Sequence, residues 1–581
     1  MRLAPPLFLA MTLLAWPAVA QNTAVEEFVL DNGMTWLLLP RFEEPNTISC
    51  GWVAQVGSVN ERPGITGISH FFEHMMFKGT STIGTRDAEQ DAEFMARQKD
   101  VKSQINAIAW GEQYTRYLRG QIDDPWDPAN DTEELRALRA ELKRLMDAHK
   151  DVIVKNEFDS IYSAEGASGM NAFTSEDVTF YIIGLPSNKF ELFAWMESDR
   201  LTDSVFREFY SERDVVHEER RMRLESSPTG VLDEQFDAMF WQSSPYSWSV
   251  IGWPTDLNSY TREDFDAYFD IYYRPNNLVG VVVGDFQIDE VKAQIERYFG
   301  PIPRGEIEPP PVVTLEVEQL AEKRLSGECD CQPQVEVRYH SVPFMHEDEY
   351  AIEMLSELLN GRTGRLYKGM VEGAEIASSA GAFQDSRKYA GSFSFSAQVK
   401  GEAVPGDLEA AWYELLAELI EQPIPERELQ KVKNQVAADS YRRLRSNNSL
   451  KIQLGIFEAL GDWEYINEAP RRMAEVTAED IKHVAAKYLI PTNRCVASYT
   501  RREGAPAADE ALLALSPEQQ EGAKQMLAQI TAIEDAATVE GILAQISSQA
   551  SMVPDEAKPM FEYVIEQVTE HLETLRAGAG D

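Results

Sequence analysis

Positive charge is scarce in this chain: 54 Lys and Arg stand against 96 Asp and Glu, a formal charge of −42. A field of that sign repels the phosphates of nucleic acid and of anionic lipid, so no nucleic-acid partner is expected; solvation in salt, or cationic peptides, suits it better. Cysteine is rarer still. Cys50, Cys329, Cys331 and Cys495 lack the paired spacing of a thiolate zinc site. One disulfide, or two free thiols at Cys329-Asp330-Cys331, fits equally, and no chemistry is assigned to them. Long apolar runs are missing after the N-terminus, which excludes a membrane-spanning helix there. The first run is short: Arg2, Leu7 to Trp16 and Ala18-Val19-Ala20 read as a secretory signal over residues 1–20. An exported protein, periplasmic or secreted, is the expectation.

What is present is globular. Hydrophobic residues make up 44% and aromatics 10%, too much for disorder, and 581 residues exceed what one core usually supports. A weak duplication divides the chain. Thr261-Arg-Glu-Asp264 leads to Tyr272, Pro275 and Asn277, and Thr477-Ala-Glu-Asp480 leads to Tyr488, Pro491 and Asn493, each pair 477 − 261 = 216 positions apart. Each block reads as a helix passing through a Pro-Asn turn into a strand, Leu278 to Val283 and Cys495 to Tyr499. Two similar α+β units follow, roughly 24–300 and 330–504, with the Pro-rich stretch between them read as an extended linker, 301–329. Ser516 and Pro517 open a helical tail over 505–581. Charge alternating with apolar residues from Glu133 to His149 marks a helical insertion at about 95–160 in the first unit, expected to be solvated.

The chemistry is concentrated in His70-Phe71-Phe72-Glu73-His74, inside an apolar segment free of Pro whose helix would end near Gly79. Histidines four apart leave one helix face a turn apart and can share an ion. Glu73 then points beside the ion, placed to take a proton from the attacking water. With 8 His and 96 carboxylates in the chain, chance supplies about 0.02 such pentads. A catalytic zinc usually takes a third protein ligand. In Ser211 to Arg220, helical in composition, Glu212, Val216 and Glu219 fall on one stripe; Glu219 suits the ligand and Glu212 a supporting carboxylate that orients a histidine. His217 and Glu218 lie off the stripe and read as surface residues.

These residues resemble the pitrilysin or insulinase family, in particular its bacterial members and the mitochondrial processing peptidases. The resemblance runs through Leu30-Asp-Asn-Gly33, Gly67 to Thr80, Asn171-Ala-Phe-Thr-Ser175, the Glu212 to Glu219 segment, and Tyr273-Arg-Pro-Asn276 to Asp285. It spans about 28–500, outside the insertion and the tail. It implies two homologous mixed α/β units, one with a single Zn2+ and one without, forming a clamshell around a chamber for unfolded peptide. His70, His74 and Glu219 match the family's ligands, Glu73 its general base and Glu212 its supporting carboxylate. Asn171, Ala172, Phe173 and Thr174 match the edge strand to which substrate is added as an extra strand. In the second unit Ile352, Leu355 and Ser356 stand where His, Glu and His stand in the first, and Lys433 falls opposite Glu219, so a metal-free copy is expected.

The expected activity is that of a zinc-dependent endopeptidase. Two rivals are a peptidase-like subunit that binds or scaffolds, and a metal-dependent hydrolase of something other than peptides, against which the edge-strand segment speaks. Many relatives carry, in the second unit, an Arg and a Tyr seven residues apart that grip substrate. Val371 and Ser378 fall there in this chain, with Arg362 and Arg365 nearby as substitutes. A metal-free companion subunit, or a homodimer, is therefore an expected partner.

Overall fold

The computed structural model describes residues 23–504 without a break and most of 510–578. The leader read at 1–20 lies outside the described residues. In the first unit β1 (Glu26–Val29), β2 (Thr35–Pro40), β3 (Thr47–Ala54), β4 (Ser168–Thr174), β5 (Thr179–Pro186) and β6 (Leu278–Gly284) form one sheet in the order β1-β2-β6-β3-β5-β4. The central β6 is apolar or glycine at every position and buried throughout, as a strand covered on both faces must be. In the second unit β7 (Lys323–Cys329), β8 (Gln334–Ser341), β9 (Ala377–Ser386), β10 (Gly391–Val399) and β11 (Arg494–Arg501) run in the order β7-β11-β8-β10-β9. The duplication is visible in detail. Thr261 and Thr477 each form a capping box with the Asp three residues on, and each helix passes through a 3₁₀ turn into β6 or β11.

The linker boundary needs correction. Residues 323–329, read as linker, form β7, which pairs in parallel with β11 as β2 does with β6. Its sequence, Lys-Arg-Leu-Ser-Gly-Glu-Cys, carries little apolar patterning because β7 is an edge strand with alternate residues exposed. At its end Cys329 and Cys331 are joined as a disulfide, while Cys50 and Cys495 are buried free thiols.

The units are interlocked. A helix of the second unit, Asn447–Leu460, lies on the first sheet, where Leu450 and Leu454 share a cluster with Val53, Val279, Val281 and Val283. Reciprocally, Phe236 and Phe240 of the first unit's helix Gly230–Phe240 cluster with Cys495, Ala497 and Tyr499 of β11. The tail forms its own core: helices Pro517–Thr531, Ala536–Ala550 and Lys558–Gly578 meet through Ile530, Val539, Ile546, Val564 and Val568. Among the described residues no helix is long and apolar enough to cross a membrane.

The insertion is not simply solvated, as its charge pattern suggested. Its two long helices, Ala88–Ile108 and Glu133–His149, bury Asp91, Gln98, Lys102 and Asn106 in the first and Leu135, Leu142, Leu145 and His149 in the second. Asp91 accepts from His149 Nε2 at 2.5 Å and from Arg207 Nε and Nη2 at 3.1 and 2.9 Å. The same guanidinium donates to the carbonyls of Lys78, Thr80 and Ile83, so one buried ion pair fastens the insertion to the turn that follows the His70-to-His74 helix. Asp91→Asn leaves Arg207 buried without its counter-charge and is expected to cost about 3–5 kcal/mol. Urea unfolding checks this; a loss below about 1 kcal/mol would mean that the ion pair is not what holds the insertion.

Candidate metal centre

The helix bearing the pentad, Ile68–Met75, is bracketed by two glycines in left-handed conformation, Gly67 (φ +87°) and Gly79 (φ +86°). A Cβ would meet the Ile251 carbonyl at 2.4 Å in the first and the Ile83 carbonyl at 2.2 Å in the second, so neither place admits another residue without movement. The start of the helix is held by Glu61, whose carboxylate accepts from the Gly67 and Ser69 amides, both at 2.8 Å, and from Ser69 Oγ at 2.6 Å. A carboxylate there also suits the positive end of the helix dipole. Phe71 and Phe72 are wholly buried, Phe72 stacking on Phe265 at 3.7 Å. That anchoring turns His70, Glu73 and His74 toward a cleft of about 860 Å³.

The third donor comes from helix Phe209–Arg220. Glu219 Oε2 stands 3.6 Å from His70 Nε2 and 3.3 Å from His74 Nε2, and one donor atom from each of the three residues lies within 4.8 Å of the others. The other Glu219 oxygen is paired with Arg223 Nη2 at 2.8 Å. Glu212, two turns earlier on the same face, accepts from His74 Nδ1 at 2.9 Å and from Lys78 Nζ at 2.5 Å. Val216 between them is fully buried. Glu218 is exposed and paired with Arg221. His217 is a correction to the helical-stripe reading: it is half-buried with Nε2 shielded from solvent, because the Asn258 segment covers that side.

Electrostatics differ sharply between the two histidines. Burial, then the neighbouring His74, pushes His70 down to about 4. His74 is raised to about 9, since the Glu212 and Glu219 carboxylates outweigh burial. Burial also raises Glu73, against the Thr174 hydroxyl that donates to Oε2 at 2.6 Å. Thr174 belongs to β4, the edge of the first sheet, and Asn171, Ala172 and Phe173 of that strand line the same cleft. The structure thus places His70, Glu73, His74, Glu212, Glu219 and the strand residues Asn171 to Thr174 around one cleft. Lys78, Arg223 and Glu61 were missed; Arg223 is four residues beyond Glu219, a helical pairing that could have revealed it. His70 Nδ1 is buried without a hydrogen-bond acceptor, so nothing comparable to Glu212 orients that ring.

Every residue lining the cleft lies between positions 70 and 251, in the first unit. Val371, Ser378, Arg362 and Arg365 of the second unit are not among them. Arg365 is engaged with Glu428 through Nε and Nη2 at 3.1 and 2.9 Å.

Comparison with known proteins agrees with this arrangement. Residues 39–114 match the model described as Insulinase (Peptidase family M16), and residues 259–436 match that described as Peptidase M16 inactive domain. The chain is 25% identical over 480 residues to the Zinc protease PqqE of Helicobacter pylori, covering 80% of this chain and 90% of that protein. It is 20% identical over 455 residues to the probable mitochondrial-processing peptidase subunit beta of Arabidopsis thaliana, covering 76% and 72%. The crystal structure of a protease from Helicobacter pylori superposes with a TM-score of 0.67 at 23% identity, covering 82% of this chain and all of that one. With two-unit architecture, sequence matches in both units and the pentad in its cleft, the chain belongs to the pitrilysin or insulinase family, peptidase family M16.

Proposed function

We propose that this protein is a zinc-dependent endopeptidase that hydrolyses unfolded peptides or extended segments, with one zinc ion held by His70, His74 and Glu219. One observation carries the reading. Glu219 Oε2 is buried and has no hydrogen-bond partner, yet it faces the Nε2 atoms of both histidines. A buried carboxylate oxygen left unsatisfied is costly, and a shared cation removes the cost. His70, His74 and Glu219 would hold such an ion, which when bound would supply Lewis acidity to the attacking water and to the scissile carbonyl.

The chain's own residues supply the rest. Glu73, half-buried and with its carboxyl raised above the ordinary range by that burial, accepts the proton of the attacking water and returns it to the leaving amine. Thr174 holds its carboxylate in place. Glu212 accepts the Nδ1 proton of His74, which fixes the tautomer and leaves Nε2 free to ligate. The outer edge of β4, unpaired in the sheet, takes the substrate as an added strand and so selects extended chains over folded ones. The exported location read from the leader suits such an enzyme.

Zinc analysis and cleavage of a quenched unfolded peptide, with and without chelator, test the proposal. One equivalent of zinc and chelator-sensitive cleavage are expected. Zinc without cleavage would favour a binding or scaffolding subunit instead.

The cleft's lining adds a claim about partners. No residue of the second unit lines it, Val371 and Ser378 offer neither a guanidinium nor a phenol, and Arg365 is engaged with Glu428, all of which supports an oxyanion grip supplied from outside this chain. One missing oxyanion donor costs about 3 kcal/mol, roughly a hundredfold in rate. The chain alone is expected to cut at about that fraction of the rate reached with a metal-free companion subunit. Activity measured across size-exclusion fractions of the native protein decides; a lone chain or homodimer working at full rate overturns it.

A further inference from the structure

The second unit repeats the pentad-bearing helix as Glu349–Leu359, and the left-handed Gly361 (φ +77°) follows it as Gly79 follows the first. Across that shift of 361 − 79 = 282 positions, Glu353 stands for Phe71 and Glu357 for Met75. Phe71 and Met75 are wholly buried, and Phe71 packs on the rings of Phe209, Tyr260 and Phe265. In the second unit the same face carries acids. Glu349, Glu353 and Glu357, spaced four residues apart, line a cavity of about 280 Å³.

Aromatic rings line the same cavity. Phe344, Phe457 and Tyr465 pack on one another, with centroids 4.4 Å apart for Phe344 and Tyr465, 4.9 Å for Phe457 and Tyr465, and 5.7 Å for Phe344 and Phe457. The acids are poorly compensated. Glu349, 5% exposed, accepts the Met345 amide at 2.7 Å through Oε2. Glu353, half-buried, has neither a hydrogen bond nor an ion pair among the described residues. Burial lifts Glu349 to about 7, and burial with the charges of Glu357 and Glu349 lifts Glu353 to about 7. Among the described residues the one cation lining the cavity is Arg443, which is exposed and acts on Glu353 and Glu357 from a distance, while Asp439 adds a negative charge near Glu357. Carboxyl groups set where the twin unit has apolar side chains are costly unless a cation meets them.

We infer that this cavity of the second unit, with its row of three carboxylates and its three aromatic rings, is a binding site for a linear aliphatic polyamine. Successive carboxylates rise about 6 Å along the helix axis, a spacing matched by ammonium groups that stand about four methylenes apart. The methylenes suit the rings, and an ammonium over a ring face gains a cation–π attraction. A metal ion fits poorly. Among the described residues three donor atoms converge within 4.8 Å only at His70, His74 and Glu219, so the three glutamates do not meet at one ion. The cavity shares no residue with the metal cleft, and the inference stands apart from the proposed reaction. A bound polyamine draws Glu349 and Glu353 into the carboxylate form and so releases protons near neutral pH.

Isothermal titration calorimetry of the full chain with spermidine tests the inference, at neutral pH and in physiological salt, which screens the chain's general negative field. One saturable site per chain is expected, with a heat that varies with the buffer's ionisation enthalpy because protons are released. Butylamine and choline, each with a single positive charge, should bind at least about tenfold more weakly. Glu353→Gln and Glu357→Gln should each weaken spermidine binding at least about tenfold, the worth of one charged hydrogen bond. Glu421→Gln, an exposed change on helix Pro405–Glu421 outside the cavity, should leave binding unchanged. If Glu353→Gln does not fold, Glu357→Gln decides alone. No saturable binding, butylamine or choline bound as tightly as spermidine, or equal binding by wild type and the folded glutamine variants would overturn the assignment and leave the cavity to water.

Discussion

Glu73→Gln is expected to keep its full complement of zinc and to lose about 10²–10⁴-fold in kcat, the usual worth of a positioned general base. The amide has the shape of the carboxylate, and its oxygen can still accept from the Thr174 hydroxyl that now donates at 2.6 Å. What it cannot do is take a proton. Glu73 is not within the donor set of His70, His74 and Glu219, so the metal should not notice the change. KM for a peptide lying along β4 should move little, because that edge is untouched. Loss of zinc in the variant, or a kcat within tenfold of wild type, would show that Glu73 has another task.

Glu219→Gln and Glu218→Gln should separate cleanly. The first replaces an anionic donor of the three-residue set by a neutral amide and is expected to weaken zinc binding roughly a hundredfold or more, beyond the 10–100-fold typical of a residue that only supports a ligand. The second changes a carboxylate 63% exposed, whose partner is Arg221, and should alter zinc affinity by less than about twofold, as surface pairs are worth little. Competition with a chromophoric chelator reads both. Equal losses would mean that the helix is turned one residue from the arrangement described.

The pentad was legible because its chemistry is local: two imidazoles and a carboxylate within one and a half helical turns need no knowledge of the fold. Glu219 was legible at 219 − 74 = 145 positions' distance because it shares a stripe with Glu212. The proposed substrate strand was visible only through family resemblance, since Asn171 to Thr174 by composition could be any strand. Other contacts had no local signal at all. Asp91 and Arg207 are 116 positions apart and meet only after the insertion has folded back on the turn at Gly79. His217 was misplaced because a helical stripe describes a helix's own surface and not the Asn258 segment that covers it. β7 was hidden because an edge strand with charged residues on its open face obeys no apolar alternation.

The exchange of helices between the two units separates where the chemistry lies from what keeps it standing. All proposed ligands and the general base lie between positions 70 and 219, yet the sheet behind them depends on Leu450 and Leu454 from far along the chain. Cut out as residues 24–300, the first unit would contain the whole metal centre and present Val53, Val279, Val281 and Val283 to water, an apolar face of the kind that drives aggregation. The second unit would be stripped likewise of Phe236 and Phe240. A chain that looks like two modules in sequence thus shares its apolar core across the unit boundary, each half covering a face of the other that would otherwise meet water.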